Sequence, residues 1–370
     1  MNSESTNEVK TDKQLRNSYR AIAVVSLAAA LLAVTLVAIT HNVALARPNA
    51  DPIGLSTVGD PLPRIQCPPG YTATIYAEGL SSPDGLAFSP GGVLHVAEET
   101  AGEVSVISST GQVTPVLTGL SNPEGIAFDD AGNLYVVEDV QNGRLIKRTP
   151  NGATSTLASS LDAPEGVAWA NDGTLYVTES NAQFETNPVN LRTRVTAVYS
   201  SGMATRIITN TPVVTGAGFA FSVTFWSYAG VAIGPDGLPY VSNELSNQVI
   251  TQTVGPFVFT LYTTDSLFSV YPVTGTRALF ASNLFAPEGL RFSASGDSPL
   301  YVAEENIGGG AGRLSRVESN GSHASLCTGF FSIEDVAVDQ RGWLYVSEDT
   351  TGLVIQIRPI VVFLPIILRQ

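Results

Sequence analysis

Six copies of one short pattern constrain this chain more than any other feature. The best copy reads Pro123-Glu124-Gly125-Ile126-Ala127-Phe128, then a Gly-Asn turn, then Leu134-Tyr135-Val136-Val137-Glu138. The others begin at Pro83-Asp84-Gly85, Pro164-Glu165-Gly166, Tyr228-Ala229-Gly230, Pro287-Glu288-Gly289 and Ile333-Glu334-Asp335. The strand closing each copy ends at Glu98, Glu138, Glu179, Asn243, Glu304 or Glu348. A unit this short cannot bury its apolar face alone, so the copies must stack around a common core.

Each copy reads as four short strands separated by turn residues. In the second copy, Gly132-Asn133 and Asn151-Gly152 supply tight turns. Four-stranded units at this repeat length predict an all-β chain, a six-bladed β-propeller over residues 71–359. The last copy has three strands before Pro359, and the alternating segment Tyr71–Gly79 is expected to supply its fourth and close the ring.

The first acidic positions fall at 84, 124, 165, 229, 288 and 334, which gives spacings of 40, 41, 64, 59 and 46. Copies three and four therefore carry insertions, near Asn181–Asn190, Thr211–Tyr228 and Leu245–Thr264. All three belong to one face of a propeller. They are rich in aromatics, including Trp226 and Tyr228. Long loops on a rigid scaffold commonly carry binding function, and packing of these aromatics into a small satellite core is the other reading.

Outside the repeats, Lys10, Lys13, Arg16 and Arg20 precede an uncharged run from Ala21 to Thr40. Residues 1–20 read as a basic cytoplasmic segment and 21–40 as a hydrophobic helix, either a transmembrane anchor or a signal peptide cleaved near Ala46. Both place the rest outside the cytoplasm. Residues 41–70 read as a Pro- and Gly-rich linker and 360–370 as a short apolar tail. Cys67 and Cys327 admit a disulfide in an oxidising compartment or two separate, partly buried thiols.

The formal charge is −14, from 33 carboxylates against 19 Lys plus Arg. This argues against nucleic acid as a partner and is compatible with a cation, a neutral small molecule or a protein at the loop-rich face of a monomer. Gly308-Gly309-Gly310 lacks the context of a phosphate loop, so no nucleotide is expected. There is no nucleophile-elbow motif. Three histidines, His41, His95 and His323, read as structural and argue against zinc.

Strand one of each copy lines the channel, which brings Asp84, Glu124, Glu165, Glu288 and Glu334 together at the face of the insertions. Carboxylates at a narrow channel must protonate, find donors or share a cation. Ca²⁺ is the hard cation that fits them. The second ring, Glu98, Glu138, Glu179, Glu304 and Glu348, reads as blade-building. Copy four breaks both rings with Ala229 and Asn243, which marks Ala229, Asn243, Trp226 and Tyr228 as candidate ligand contacts.

The pattern P-[DE]-G-[ILV]-A-[FW] followed by G-x-L-Y-V-x-E resembles NHL-repeat propellers and the senescence-marker/gluconolactonase-like and strictosidine-synthase-like six-bladed propellers. In gluconolactonase-like enzymes a divalent cation is held by Glu, Asn and Asp at the starts of inner strands. This chain has no Asn at such a position and has Ala229 in one. The resemblance implies a Ca²⁺-dependent lactonase or esterase as one function, with Glu124 or Glu288 as base. A ligand-binding or partner-binding platform is the leading expectation, and a structural cell-envelope protein a third.

Overall fold

The computed structural model describes residues 57–180, 193–210, 213–217, 220–224, 226–244, 249–254, 257–262, 266–293, 295–296, 298–305 and 311–360. The expected N-terminal helix, the cleavage region at Ala46, the Asn181–Asn190 insertion, the Gly308–Gly310 turn and the tail from 361 lie outside them. Among the described residues no helix is long and apolar enough to cross a membrane.

Six four-stranded antiparallel sheets form the blades of a propeller. In blade two the strands are Pro123–Phe128, Leu134–Glu138, Gln141–Arg148 and Thr154–Asp162, ordered from the channel outward. The second strand is buried at every position, because a blade packs against a neighbour on each face. The outermost strand alternates with exposed positions. The apolar core divides into six clusters, one between each pair of neighbouring blades.

In blade six, Leu353–Pro359 pairs antiparallel with Tyr71–Ala77, from Tyr71 opposite Pro359 to Ala77 opposite Val354. Residues 57–70, read from sequence as linker, lie along the outer edges of blades five and six. Pro61 bridges Thr74 and Gln66 bridges Thr328, Leu62 and Ile65 enter the core, and Cys67 is disulfide-bonded to Cys327. Proline and glycine content signals only irregular backbone, and this segment is irregular yet packed.

The insertions around blade four are not simple loops. Val213–Ala217, Ala220–Thr224, Phe257–Tyr262 and Val249–Val254 form a separate four-stranded sheet in that order. Its middle pair is parallel, because the two strands come from insertions separated by the first half of blade four.

Candidate functional site

The Glu-Gly step of strand one builds the site. In blade two the pairing register slips between Pro123 and Ile126, opposite Glu138 and Val136. This bulge turns the acidic residue toward the channel. Glycine follows because the next blade's backbone comes close: a Cβ on Gly125 would lie 2.4 Å from the carbonyl oxygen of Glu165. The same crowding recurs at Gly85 against Glu124, Gly166 against Ala229 and Gly230 against Glu288.

Asp84, Glu124, Glu165, Glu288 and Glu334 thereby line one cavity of about 230 Å³ at the channel mouth, with Ala229 filling the sixth place. Burial, followed by the neighbouring carboxylates, holds all five well above the usual carboxylate range.

The structure adds residues that sequence reasoning missed. Glu99, Asp139, Glu244, Glu305 and Asp349 each directly follow the end of strand two. Because strand side chains alternate, these point the opposite way from the buried acids before them, and they interact with the inner ring. Asp139 neighbours Glu124, and Glu244 neighbours Glu288, closely enough for each pair to titrate together. Asp139 is pushed up to about 6, chiefly by burial and then by Glu99 and Glu244, while Glu124 and the Asn122 amide oppose the rise. Ser332 Oγ donates to Glu334 Oε1 at 2.7 Å and lies 3.2 Å from Glu305 Oε1. The legible signal was a doubled acid, as in Glu98-Glu99 or Glu304-Glu305, retained as Asn243-Glu244 where the inner acid is lost.

The other ring is architecture. Glu98, Glu138, Glu179, Glu304 and Glu348 are buried, and each accepts a backbone N–H from the connection leading into its own blade: Ser81, Ser121, Asp162, Phe285 and Phe331. Asn243 makes the equivalent bond, from Ser227 N–H at 2.8 Å.

The candidate ligand contacts fall in different environments. Asn243 is fully buried in its blade, and Tyr228 is a core residue whose hydroxyl bonds Arg277. Arg277 also lies over the Trp226 ring, 4.8 Å from its centroid. Of the four expected contacts, Ala229 alone lines the cavity. His95 is buried against Phe128 and His323 sits on the outer strand of blade five, so neither reaches the site.

The donors fit a hard cation in chemistry, since all are oxygens. Two of them, Glu165 Oε2 and Asp139 Oδ1, are buried without a hydrogen-bond partner. Among the described residues no three acidic side chains already converge as a metal cage.

The opposite mouth differs. Phe88, Phe128, Trp169, Ile233, Phe292 and Val338 ring a cavity of about 310 Å³, with Arg291 reaching both cavities.

No family model matches the chain, and no curated protein sequence matches it. Solved structures do match in fold. A gluconolactonase from Xanthomonas campestris superposes with a TM-score of 0.58 at 17% identity, covering 84% of this chain and 99% of its own. A calcium-containing structure of a Trichoderma reesei carbohydrate-active enzyme of family AA12 gives 0.56 at 12%, covering 82% and 98%. A streptogramin B lyase gives 0.52 at 12%, covering 78% and 98%. At these identities the likeness is one of fold alone, a six-bladed β-propeller.

Proposed function

We propose that the acidic channel mouth is the active site of an extracytoplasmic hydrolase acting on a small lactone or ester. The observation that carries this reading is the convergence of Asp84, Glu124, Glu165, Glu244, Glu288 and Glu334 on one buried cavity, with Asp139 beside Glu124. Carboxyl groups raised above their ordinary range can take and return protons at working pH. The Glu124–Asp139 couple would take the proton of the attacking water. The Glu288–Glu244 couple would supply one to the departing alkoxide.

A divalent cation, Ca²⁺ by donor type, would polarise the ester carbonyl when bound. Asp84, Glu165 and Glu334 would hold it, with Glu165 Oε2 open for coordination. The disulfide Cys67–Cys327 supports an oxidising compartment. There the chain would be held by its N-terminal segment or released by cleavage near Ala46.

A platform for a small molecule or protein is the second reading. It is favoured by the additional sheet inserted around blade four, whose strands join the propeller at the acidic face.

The test is hydrolysis of a lactone and aryl-ester panel by the full-length chain, in Ca²⁺ and in chelator. Asp139→Asn and Glu288→Gln should each lower kcat at least 100-fold. Absence of any hydrolysis in Ca²⁺ would remove the hydrolase reading.

A further inference from the structure

Each strand-two glutamate is a buried charge, and the blades differ in how they neutralise it. In blade two Arg144 binds both oxygens of Glu138, at 2.5 and 2.7 Å. In blade three Arg194 stands across from Glu179 and pairs with it at 3.3 Å. In blade five Arg313 stands across from Glu304 and pairs with it at 2.6 Å. Blade six has Leu353 at that cross-strand place. Its arginine comes from outside the blade instead: Arg64 binds both oxygens of Glu348, at 2.9 and 2.5 Å. Blade four carries the neutral Asn243 and needs no cation.

Blade one breaks the pattern. The residue across from Glu98 is Glu103, a second acid where blades three and five use arginine. Glu98 is 4% exposed. Its Oε2 accepts Ser81 N–H at 2.9 Å, while its Oε1 has no partner. Glu304 also leaves one oxygen unpartnered, but its other oxygen carries Arg313. Neither Glu98 nor Glu103 enters an ion pair among the described residues. Burial, then the Glu98 charge, raises the Glu103 carboxyl.

Like charges directly opposite on neighbouring strands destabilise a sheet, and a buried carboxylate without a counter-charge is costly. A guanidinium here would balance one of the two charges. A divalent cation balances both. We propose that Glu98 and Glu103 hold a divalent cation, Ca²⁺ by the hardness of its donors, between the two middle strands of blade one in the place of the missing arginine. Two carboxylates leave the remaining coordination to water, so the site belongs with weak extracellular ones, filled at roughly 0.1–1 mM Ca²⁺.

The test compares the full-length chain with Glu103→Arg, which installs the arginine of blades three and five, and with Glu103→Gln. Equilibrium dialysis at millimolar Ca²⁺ counts bound ions, and melting is followed in Ca²⁺ and in chelator. Both variants should bind one Ca²⁺ fewer per chain. Glu103→Arg should also melt higher than the parent in chelator and gain less from Ca²⁺. Unchanged Ca²⁺ stoichiometry in both folded variants would overturn the proposal. If Glu103→Arg does not fold, Glu103→Gln still decides the count. Glu318→Gln, on an exposed turn of blade five, serves as the control that leaves the Ca²⁺ count unchanged.

Discussion

Arg291 of blade five and Asp335 of the neighbouring blade six converge on Leu86 of blade one, each at a position where the other blades have a smaller residue. Arg291 occupies the alanine place of blade five, matching Ala87, Ala127, Ala168, Ala232 and Ala337. Asp335 occupies the glycine place of blade six, matching Gly85, Gly125, Gly166, Gly230 and Gly289. Burial raises the Asp335 carboxyl, and Arg291 opposes that rise. Both residues also reach blade one: Asp335 Oδ2 accepts Leu86 N–H at 2.8 Å, and Arg291 donates to Leu86 O at 3.1 Å. The pair crosses the point where the last blade meets the first.

Arg291→Ala removes the donor to Leu86 O and the charge that opposes the cost of burying Asp335. It should destabilise the fold by about 1–3 kcal/mol, read by urea unfolding. The double variant Arg291→Ala/Asp335→Gly restores the repeat consensus and should recover most of that loss. Additive losses in the double variant would show that the two residues act independently.

The inner strands approach too closely for a side chain at the repeat glycine. Gly125→Ala places a Cβ 2.4 Å from Glu165 O, backbone against backbone. It should cost about 2 kcal/mol or more through strain. Gly91→Ala meets nothing nearer than Ser89 Oγ at 3.8 Å and lies outside the left-handed region, so it should change stability by less than about 0.5 kcal/mol. Thermal melting of the two variants gives the comparison.

The Cys67–Cys327 disulfide spans 260 residues of chain, so in the chain-entropy picture it restricts the unfolded state strongly. Cys67→Ala/Cys327→Ala should destabilise by about 2–5 kcal/mol. The same segment supplies Arg64, which also lies over the Phe331 ring at 4.3 Å. Arg64→Met should lower the melting temperature by itself, because it leaves the fully buried Glu348 charge without its cation.

The acidic mouth should make stability depend on pH and on cations together. Asp139 titrates near 3.8 when free and about 6 in the fold. Its protonation therefore contributes stability that is complete below 3.8 and is lost as pH rises through about 6. The five inner acids are raised in the same sense. In chelator the melting temperature should fall by roughly 5 °C or more between pH 5 and pH 8. Millimolar Ca²⁺ should recover much of it at pH 8, since a bound cation stabilises the deprotonated ring. A flat profile in chelator would mean that these carboxyl groups are solvated in solution.

Much of the architecture was readable because it is repetitive. A strand buried on both faces must be apolar throughout, as Leu134-Tyr135-Val136-Val137 is, and a glycine pressed against the next blade must recur in blade after blade. The inner acids were readable for the same reason: Glu124 and its counterparts occupy one place in the pattern. The doubled acids were equally present in the sequence. Their role was hidden because neighbouring residues on a strand point opposite ways, so Glu138 holds a blade connection while Asp139 faces the channel mouth. The break in copy four has a structural side that the pattern did not display. Asn243 looks like a lost site residue, yet its amide oxygen makes the bond that a glutamate makes elsewhere.

The sequence by itself therefore determined the repeat, the blade count and the ring of inner carboxylates, since each follows from periodicity and local sterics. Tertiary structure alone decided the partners that come from distant parts of the chain. It joined Arg64 to Glu348 and Cys67 to Cys327, set Arg291 against Asp335, and left Glu98 beside Glu103 with no arginine. It also folded two separate insertions into one sheet. No local rule could fix these contacts, because ring closure brings together residues hundreds of positions apart, and only the closed ring sets which charges are buried beside one another.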